Sequence, residues 1–281
     1  MELESKIGFM QGRLIKAVQN NIQAFPKDCW EDEFPIAERL GFKKIEWVFD
    51  SLENPILDDK QHINIKLLSE KHQVTIGSIC ADFFMHHKLF SESSTEVSKN
   101  LIVLENLIDK SSLLGICIIE IPLVDSSSLK SESDIQEFSK NLEKIIPLAE
   151  KKNVILSLET DLPPQKIKDL IENMSSNFVK VNYDIGNSTS LGYDMKEELA
   201  LLKNLIANVH IKDRKFGGIS VPLGTGDANL ELFLNTLADM GYNGDIIIQG
   251  ARENEEQIFP EETYKKYFKL VKNYLGIVEK E

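Results

Sequence analysis

The strongest constraint on the fold of this 281-residue chain is a regular alternation of short apolar runs with longer helical patterns. Eight runs rich in β-branched or apolar residues are predicted strands, at 6–10, 44–48, 74–79, 116–121, 154–158, 179–184, 207–211 and 245–249. Predicted helices lie between them, at 30–40, 63–71, 98–114, 133–152, 164–173, 196–205 and 230–240. Strands that are apolar on both faces are typical of parallel sheets covered by helices. Eight such units predict an α/β fold, a closed (β/α)8 barrel, with an open doubly wound sheet as the alternative.

The boundaries between these segments fit one continuous domain over residues 1–281. Gly41, Gly115 and Gly241 end three of the helical patterns, as expected for left-handed caps before a strand. No Pro/Gly/Ser-rich linker divides the chain, and its length suits a single barrel. The glycine-rich stretch 216–229 is predicted to be a long loop, and long loops in compact domains are often functional.

The acidic composition narrows the choice of partners. There are 32 basic and 45 acidic residues, giving a net charge of −13, which repels nucleic acid and anionic lipid. A small anionic substrate remains open, because salt screens distant charges and leaves a local cluster of cations effective. Three scattered cysteines and an N-terminus without an apolar signal core predict a reduced, cytoplasmic protein. Homo-oligomerisation remains open.

Polar residues with metal-binding side chains stand at four neighbouring strand ends, which is where a barrel of this kind carries its chemistry. They are Glu159, Asp184, His210 and Gln249. Each alone is more often a loop residue, a helix cap or a core group. Together they predict a site for a divalent cation, because a buried cluster of acids is costly without one. Carboxylate oxygens and one imidazole suit Mn, Mg or Co, with Zn as a further option.

Four segments of the chain resemble those of the xylose-isomerase-like TIM barrels, in particular the ketopentose-phosphate and hexulose 3-epimerases. The segments are LSLE at 156–159, DIGN at 184–187, HIKD at 210–213 and VPLGTG at 221–226. The resemblance extends over nearly the whole chain. It implies that four strand ends supply Glu, Asp, His and Glu to a divalent metal, and that the two Glu residues exchange protons with the substrate carbon.

Position 249 departs from that pattern. Glu159, Asp184 and His210 match the family, but Gln249 stands where the second Glu is usual. An amide oxygen can ligate a metal, yet it cannot act as a general base near neutral pH. The predicted activity is therefore that of an isomerase or epimerase of a sugar or sugar phosphate in which Glu159 is the base and the metal stabilises an enediolate. Epimerisation would need a second proton donor, either a metal-bound water or an acid such as Glu46 or Glu120.

Further side chains around the strand ends are candidates for substrate binding: Gln11, Arg13, Glu46, Glu120, Asn187, Lys212, Asp213, Arg214 and Arg252. Arg13 suits a bidentate pair with a substrate phosphate or carboxylate, although a surface salt bridge fits it equally well. Glu46 and Glu120 fit structural ion pairs equally well.

Other functions remain open on the same scaffold. A lyase that dehydrates a keto-polyol of the inosose type needs only one base and one metal. A carbohydrate-binding relative without catalysis would fit the change at Gln249. An endonuclease for abasic DNA shares the barrel resemblance but uses more histidines for several zinc ions and a basic surface, so five histidines and a charge of −13 argue against it.

Overall fold

Eight parallel strands close into a barrel in the computed structural model, which describes residues 4–17, 23–253 and 258–277. The strands are β1 Ile7–Met10, β2 Lys44–Val48, β3 Thr75–Cys80, β4 Ile118–Leu123, β5 Ile155–Thr160, β6 Val179–Asp184, β7 Ile206–Ile211 and β8 Asp245–Ile248. Each pairs in parallel with its neighbours in sequence, and β1 pairs with β8 to complete the ring. The predicted barrel is confirmed, and the open sheet is wrong because neither edge strand is left unpaired.

Eleven α-helices connect the strands within the described residues. They are α1 Glu33–Leu40, α2 Asp59–His72, α3 Phe83–His86, α4 Ser94–Leu114, α5 Glu132–Leu142, α6 Ile146–Lys152, α7 Pro164–Asn173, α8 Ile185–Leu191, α9 Met195–Leu202, α10 Leu230–Asp239 and α11 Pro260–Tyr274. None of these helices is long and apolar enough to cross a membrane.

The structure differs from the predicted elements in a few places. The single helix expected at 133–152 is two helices, α5 and α6, with Pro147 in the first turn of the second. Helices α3, α8 and α11 were not predicted, and α8 begins directly where β6 ends. The loop expected at 216–229 contains one strand of a small antiparallel ribbon, in which Asp213–Arg214 pairs with Ser220–Val221.

The apolar core lies between the strands and the helices. On the outer side of β2, Trp47 packs edge-on against Trp30, with ring centroids 5.3 Å apart. Near the closure of the barrel, Phe42 packs against Phe9 and against Phe268 of α11. Aromatic pairs of this kind hold the helical layer on the barrel.

The barrel interior, by contrast, is polar. Buried polar side chains project inward from six strands: Glu46, Ser78, Glu120, Ser157, Asn182 and Asn208. Bulky branched side chains are more usual inside such barrels. Hydrogen bonds join some of these groups across the barrel. For example, Asn208 of β7 donates to Glu46 of β2 at 2.6 Å. The polar interior supports the side chains at the C-terminal end of the strands.

Candidate metal centre

Glu159, Asp184 and His210 are buried together at the C-terminal end of the barrel. Each offers a ligand atom, and these atoms all lie within 4.8 Å of one another. The strand register brings them together, since Asp184 pairs directly with His210 across β6 and β7. Two carboxylates and one imidazole are donors suited to Mn, Mg, Co or Zn.

The imidazole of His210 is held between two carboxylates. Its Nε2 lies 2.5 Å from Oε1 of Glu46, and its Nδ1 lies 3.0 Å from Oε2 of Glu159. Burial would lower the pKa of His210, but the charges of Glu46 and Glu159 raise it well above its usual value. A carboxylate behind a histidine ligand commonly fixes the ring in its binding orientation.

Glu46 makes contacts that fit the structural ion pair, one of the two roles predicted for it. Its Oε1 faces His210, and its Oε2 accepts hydrogen bonds from Ser78 and Asn208. The side chain is fully buried. Its contact with substrate stays a prediction.

Glu159 is fixed by two amides. Its Oε1 accepts from Nδ2 of Asn187 at 2.6 Å, and its Oε2 accepts from Nδ2 of Asn182 at 2.9 Å. Burial would raise the pKa of Glu159, but the contact with His210 brings it below its usual value. The carboxylate is therefore ionised at neutral pH. Asn182 was missed, although its position two residues before Asp184 on the same strand face could have indicated it.

Lys212 enters the same site from the chain that follows β7. Its Nζ lies 2.8 Å from Oδ2 of Asp184. Burial would lower the pKa of Lys212, but Asp184 raises it above its usual value, so Lys212 is a buried cation. Gly186 makes room for it, because a Cβ there would lie 2.8 Å from Cγ of Lys212.

Gln249 follows β8 directly and is 8% exposed. Its Nε2 donates to Oε1 of Gln23 at 2.9 Å. Its own Oε1 is buried and has no hydrogen-bond partner among the described residues. An unsatisfied buried carbonyl carries a desolvation cost that a cation would remove. The cluster of Glu159, Asp184 and His210 therefore fits a divalent metal, and Gln249 offers the free amide oxygen that was predicted as a fourth ligand.

Arg13 is a buried guanidinium beside this site. It is 3% exposed, and burial lowers its pKa. Its Nη atoms reach Gly250 O at 3.4 Å and Gln23 Oε1 at 3.3 Å, while its Nε has no partner among the described residues. It lines a cavity of about 190 Å³, together with Arg252, Glu253, Ile258, Pro260, Thr263 and Tyr264. Arg13 is therefore a buried cation with one donor that lacks a partner among the described residues, and its contact with an anionic group stays a prediction.

Two other predicted substrate residues hold loops through backbone contacts. Asp213 is fully buried, and its oxygens accept the backbone amides of Gly224, Gly226 and Ala228. The Nη atoms of Arg252 donate to the carbonyls of Gly12 and Ile15 and hold the segment after β1. Direct contact of either side chain with substrate stays a prediction.

The remaining predicted residues differ in how close they come to the site. Asn187 binds Glu159 and is held in turn by Arg214, whose Nη1 donates to its Oδ1 at 2.8 Å. Gln11 is buried, and its Oε1 accepts from the Val48 amide.

Glu120 lies in the middle of β4, because that strand runs further than predicted, and it is fully buried in the barrel. Burial fits the structural role that was one of the two predicted for Glu120, and its contact with substrate stays a prediction.

A cleft of about 360 Å³ opens beside Glu159 and Asp184. Its other lining residues include Thr160, Asn187, Leu191 and Tyr193. Most of the lining side chains belong to β5, β6 and the helices α7 and α8 that follow them.

The comparisons with known proteins agree with this arrangement. A model of the xylose isomerase-like TIM barrel family matches residues 34–274. Among curated proteins, L-ribulose-5-phosphate 3-epimerase of Escherichia coli strain SMS-3-5 is 25% identical over 240 residues, covering 82% of this chain and 84% of that protein.

Two solved structures share the fold. A D-psicose 3-epimerase, crystallised in the presence of D-fructose, has a TM-score of 0.78 at 14% identity and covers 96% of this chain and 99% of its own. The IolI protein, which carries a bound zinc atom, has a TM-score of 0.76 at 15% identity and covers 96% of this chain and 98% of its own.

Proposed function

Since this chain belongs to the xylose isomerase-like TIM barrel family, we propose that it is a divalent-metal-dependent isomerase or epimerase of a sugar or sugar phosphate. The convergence of Glu159, Asp184 and His210 is the observation that carries the proposal. The curated relatives are epimerases of a ketopentose phosphate, which supports an enzyme of this class.

The cation would be held by Glu159, Asp184, His210 and the Gln249 amide oxygen. Bound there, it would stabilise negative charge that develops on a substrate oxygen when a neighbouring proton is removed. Glu46 keeps the His210 ring aimed at the site through the 2.5 Å contact. The deep, largely buried position keeps bulk water away from these groups and strengthens their electrostatic interactions.

Glu159 would remove the proton next to the substrate carbonyl. The two amide donors fix both of its oxygens, and its lowered pKa keeps it ionised at neutral pH. The other acids of the interior are poorly placed for proton transfer to substrate, since Glu46 is bound to His210 and Glu120 lies deep in the barrel. A single base that moves a proton between adjacent carbons favours aldose–ketose isomerisation over a two-base epimerisation.

Arg13 supports a substrate with an anionic end. A buried guanidinium with an unpartnered Nε gains most from a charge-assisted hydrogen bond to phosphate or carboxylate. The negative net charge of the chain does not oppose this, because Arg13 and Lys212 provide local positive charge.

The test is an assay of sugars and sugar phosphates in deuterated water with added Mn, Mg, Co or Zn, followed by NMR. We expect metal-dependent deuterium incorporation next to the carbonyl of a ketose or its phosphate. Glu159→Gln should abolish this exchange while keeping the fold, because the amide retains the shape and loses the basicity. Loss of water instead of rearrangement would favour the keto-polyol lyase. Exchange that persists in Glu159→Gln would refute the role of the base.

A further inference from the structure

Gln23 bridges three strand ends at the mouth of the barrel. It lies in the segment after β1, and its Nε2 donates to Oδ2 of Asp82, which follows β3, at 2.6 Å. Its Oε1 accepts from Nε2 of Gln249, which follows β8, at 2.9 Å. No sequence pattern indicates this bridge, because its members are far apart in the chain.

The orientation of the Gln23 amide is set by neighbours whose hydrogen-bonding roles are fixed. Asp82 accepts on both oxygens, from Gln23 on one and from the Cys80 thiol on the other. On the opposite side, Arg13 has only donors, and its Nη2 lies 3.3 Å from Oε1 of Gln23. The amide group of Gln23 must therefore turn its NH2 toward Asp82 and its oxygen toward Arg13 and Gln249.

This polarity dictates the residue type at position 249. A side chain that meets the oxygen of Gln23 must donate a hydrogen bond, which Gln can do and an ionised Glu cannot. With its Nε2 committed to Gln23, Gln249 has only its Oε1 left, and that atom is buried without a partner among the described residues.

We propose that Gln23, oriented by Asp82, is a positioning residue that requires an amide at 249 and turns the Gln249 oxygen toward the cation. The inference rests on the metal site of the proposed function. The bridge explains why position 249 carries Gln where the resemblance implies Glu. The amide oxygen remains available as a ligand, but the negative charge and the basicity of a carboxylate are lost. Gln23 lies in the segment after β1, whereas the four proposed ligands lie at the ends of β5, β6, β7 and β8.

The experiment compares Gln249→Glu, Asp82→Asn and the double variant, each freed of metal with a chelator. It measures the melting temperature at pH 8, because burial raises the pKa of Asp82. Gln249→Glu alone sets a carboxylate against the oxygen of Gln23, and we expect melting about 4 °C below wild type. In the double variant, the amide of residue 82 can donate to Gln23, so that Gln23 turns over and donates to the new carboxylate. Arg13 then loses the Gln23 oxygen as an acceptor, and we expect it to donate to the carboxylate of residue 249 in its place.

The double variant should therefore melt within about 1 °C of Asp82→Asn alone, which means that the two changes are not additive. The proposed orientation of the Gln23 amide would be overturned by either of two results. One is a fall in melting temperature in the double variant equal to the sum of the two single falls, and the other is a Gln249→Glu variant as stable as wild type. Gln136→Glu on the exposed face of α5 is the matched control for the added charge and should leave the melting temperature unchanged.

Titration calorimetry with Mn²⁺ tests the second half of the inference. Gln23→Leu keeps the size of the side chain and removes the bridge, and we expect its affinity for Mn²⁺ to fall about fivefold. The double variant should bind Mn²⁺ about tenfold more tightly than wild type, because it adds a correctly oriented carboxylate. Unchanged affinity in Gln23→Leu would overturn the positioning role. A further result is that neither wild type nor any variant binds Mn²⁺ while the two substitutions still have non-additive effects on the melting temperature. In that case the proposed function fails and the hydrogen-bond bridge stands.

Discussion

The ammonium group of Lys212 lies 2.8 Å from Oδ2 of Asp184, one of the proposed metal ligands. A cation that binds Asp184 therefore meets a second positive charge at close range. We therefore expect Lys212 to limit the affinity for metal, and we propose that it also donates to an oxygen of the substrate. The two roles can be separated by mutation.

Lys212→Met should strengthen metal binding. Removing a buried ammonium group next to Asp184 relieves charge repulsion, and we expect about tenfold tighter binding of Mn²⁺, measured by titration calorimetry. Turnover of the sugar should fall at the same time. Lys215→Met is the control, since that exposed lysine pairs with Asp227 outside the site. Metal binding that is weakened in Lys212→Met would contradict the assignment.

Glu46→Gln should weaken metal binding although Glu46 is not a proposed ligand. The change removes the charge that orients His210, and loss of such a partner typically lowers metal affinity 10- to 100-fold. Glu38→Gln provides a matched control, because Glu38 contacts His72 at 2.7 Å away from the metal centre. Equal metal affinities in the two variants would mean that the Glu46 contact does not support the site.

Arg13→Met should affect phosphorylated substrates selectively. We expect kcat/KM for a sugar phosphate to fall about 100-fold, since a charge-assisted hydrogen bond to the anion is lost, while metal affinity stays the same. The corresponding unphosphorylated sugar should lose little. Equal losses for both sugars would show that Arg13 acts on the fold and not on the anion.

Glu33 should make the protein less stable as the pH rises toward neutrality. Its carboxylate is buried and accepts the amides of Gly12 and Leu14, and burial raises its pKa to about 7. In the unfolded chain the group ionises near pH 4.5. The folded protein therefore binds the extra proton between these two values, and the stability from Glu33 is full below pH 4.5 and lost as the pH approaches 7.

The loss amounts to about 3 kcal/mol. Urea unfolding at several pH values would measure it, and Glu33→Gln should remove this part of the slope whatever its effect on absolute stability. An identical slope in both proteins would rule out Glu33 as its source.

The sequence predicted the barrel well because the pattern that identifies it is local. Each strand is a short apolar run, and most observed strand ends lie within two residues of the predicted ones. Helix α8 was missed because Asp184 ends β6 and also caps the helix, so no loop separates the two elements.

The clustering of Glu159, Asp184 and His210 was predicted from the strand ends, but the contacts that support these side chains were not. The contact of Glu46 with His210 spans 164 positions in sequence, and that of Gln23 with Gln249 spans 226. Only the closure of the barrel brings such groups together. The hydrogen bonds from backbone amides to the Asp213 carboxylate likewise depend on the path of a loop. The periodicity of apolar residues in the sequence does not predict that path.

Asp184 uses its Oδ1 to cap α8 through the amide of Asn187, and its Oδ2 faces Lys212 and the metal centre. A cap requires a short side chain, which Asp has and Glu does not. Position 184 therefore does not tolerate Glu, although Asp and Glu are the two acidic residue types that replace each other most easily. A lineage that replaced Asp184 by Glu would have to rebuild the start of α8, and with it the placement of Asn187 against Glu159, before the proposed metal site could form again.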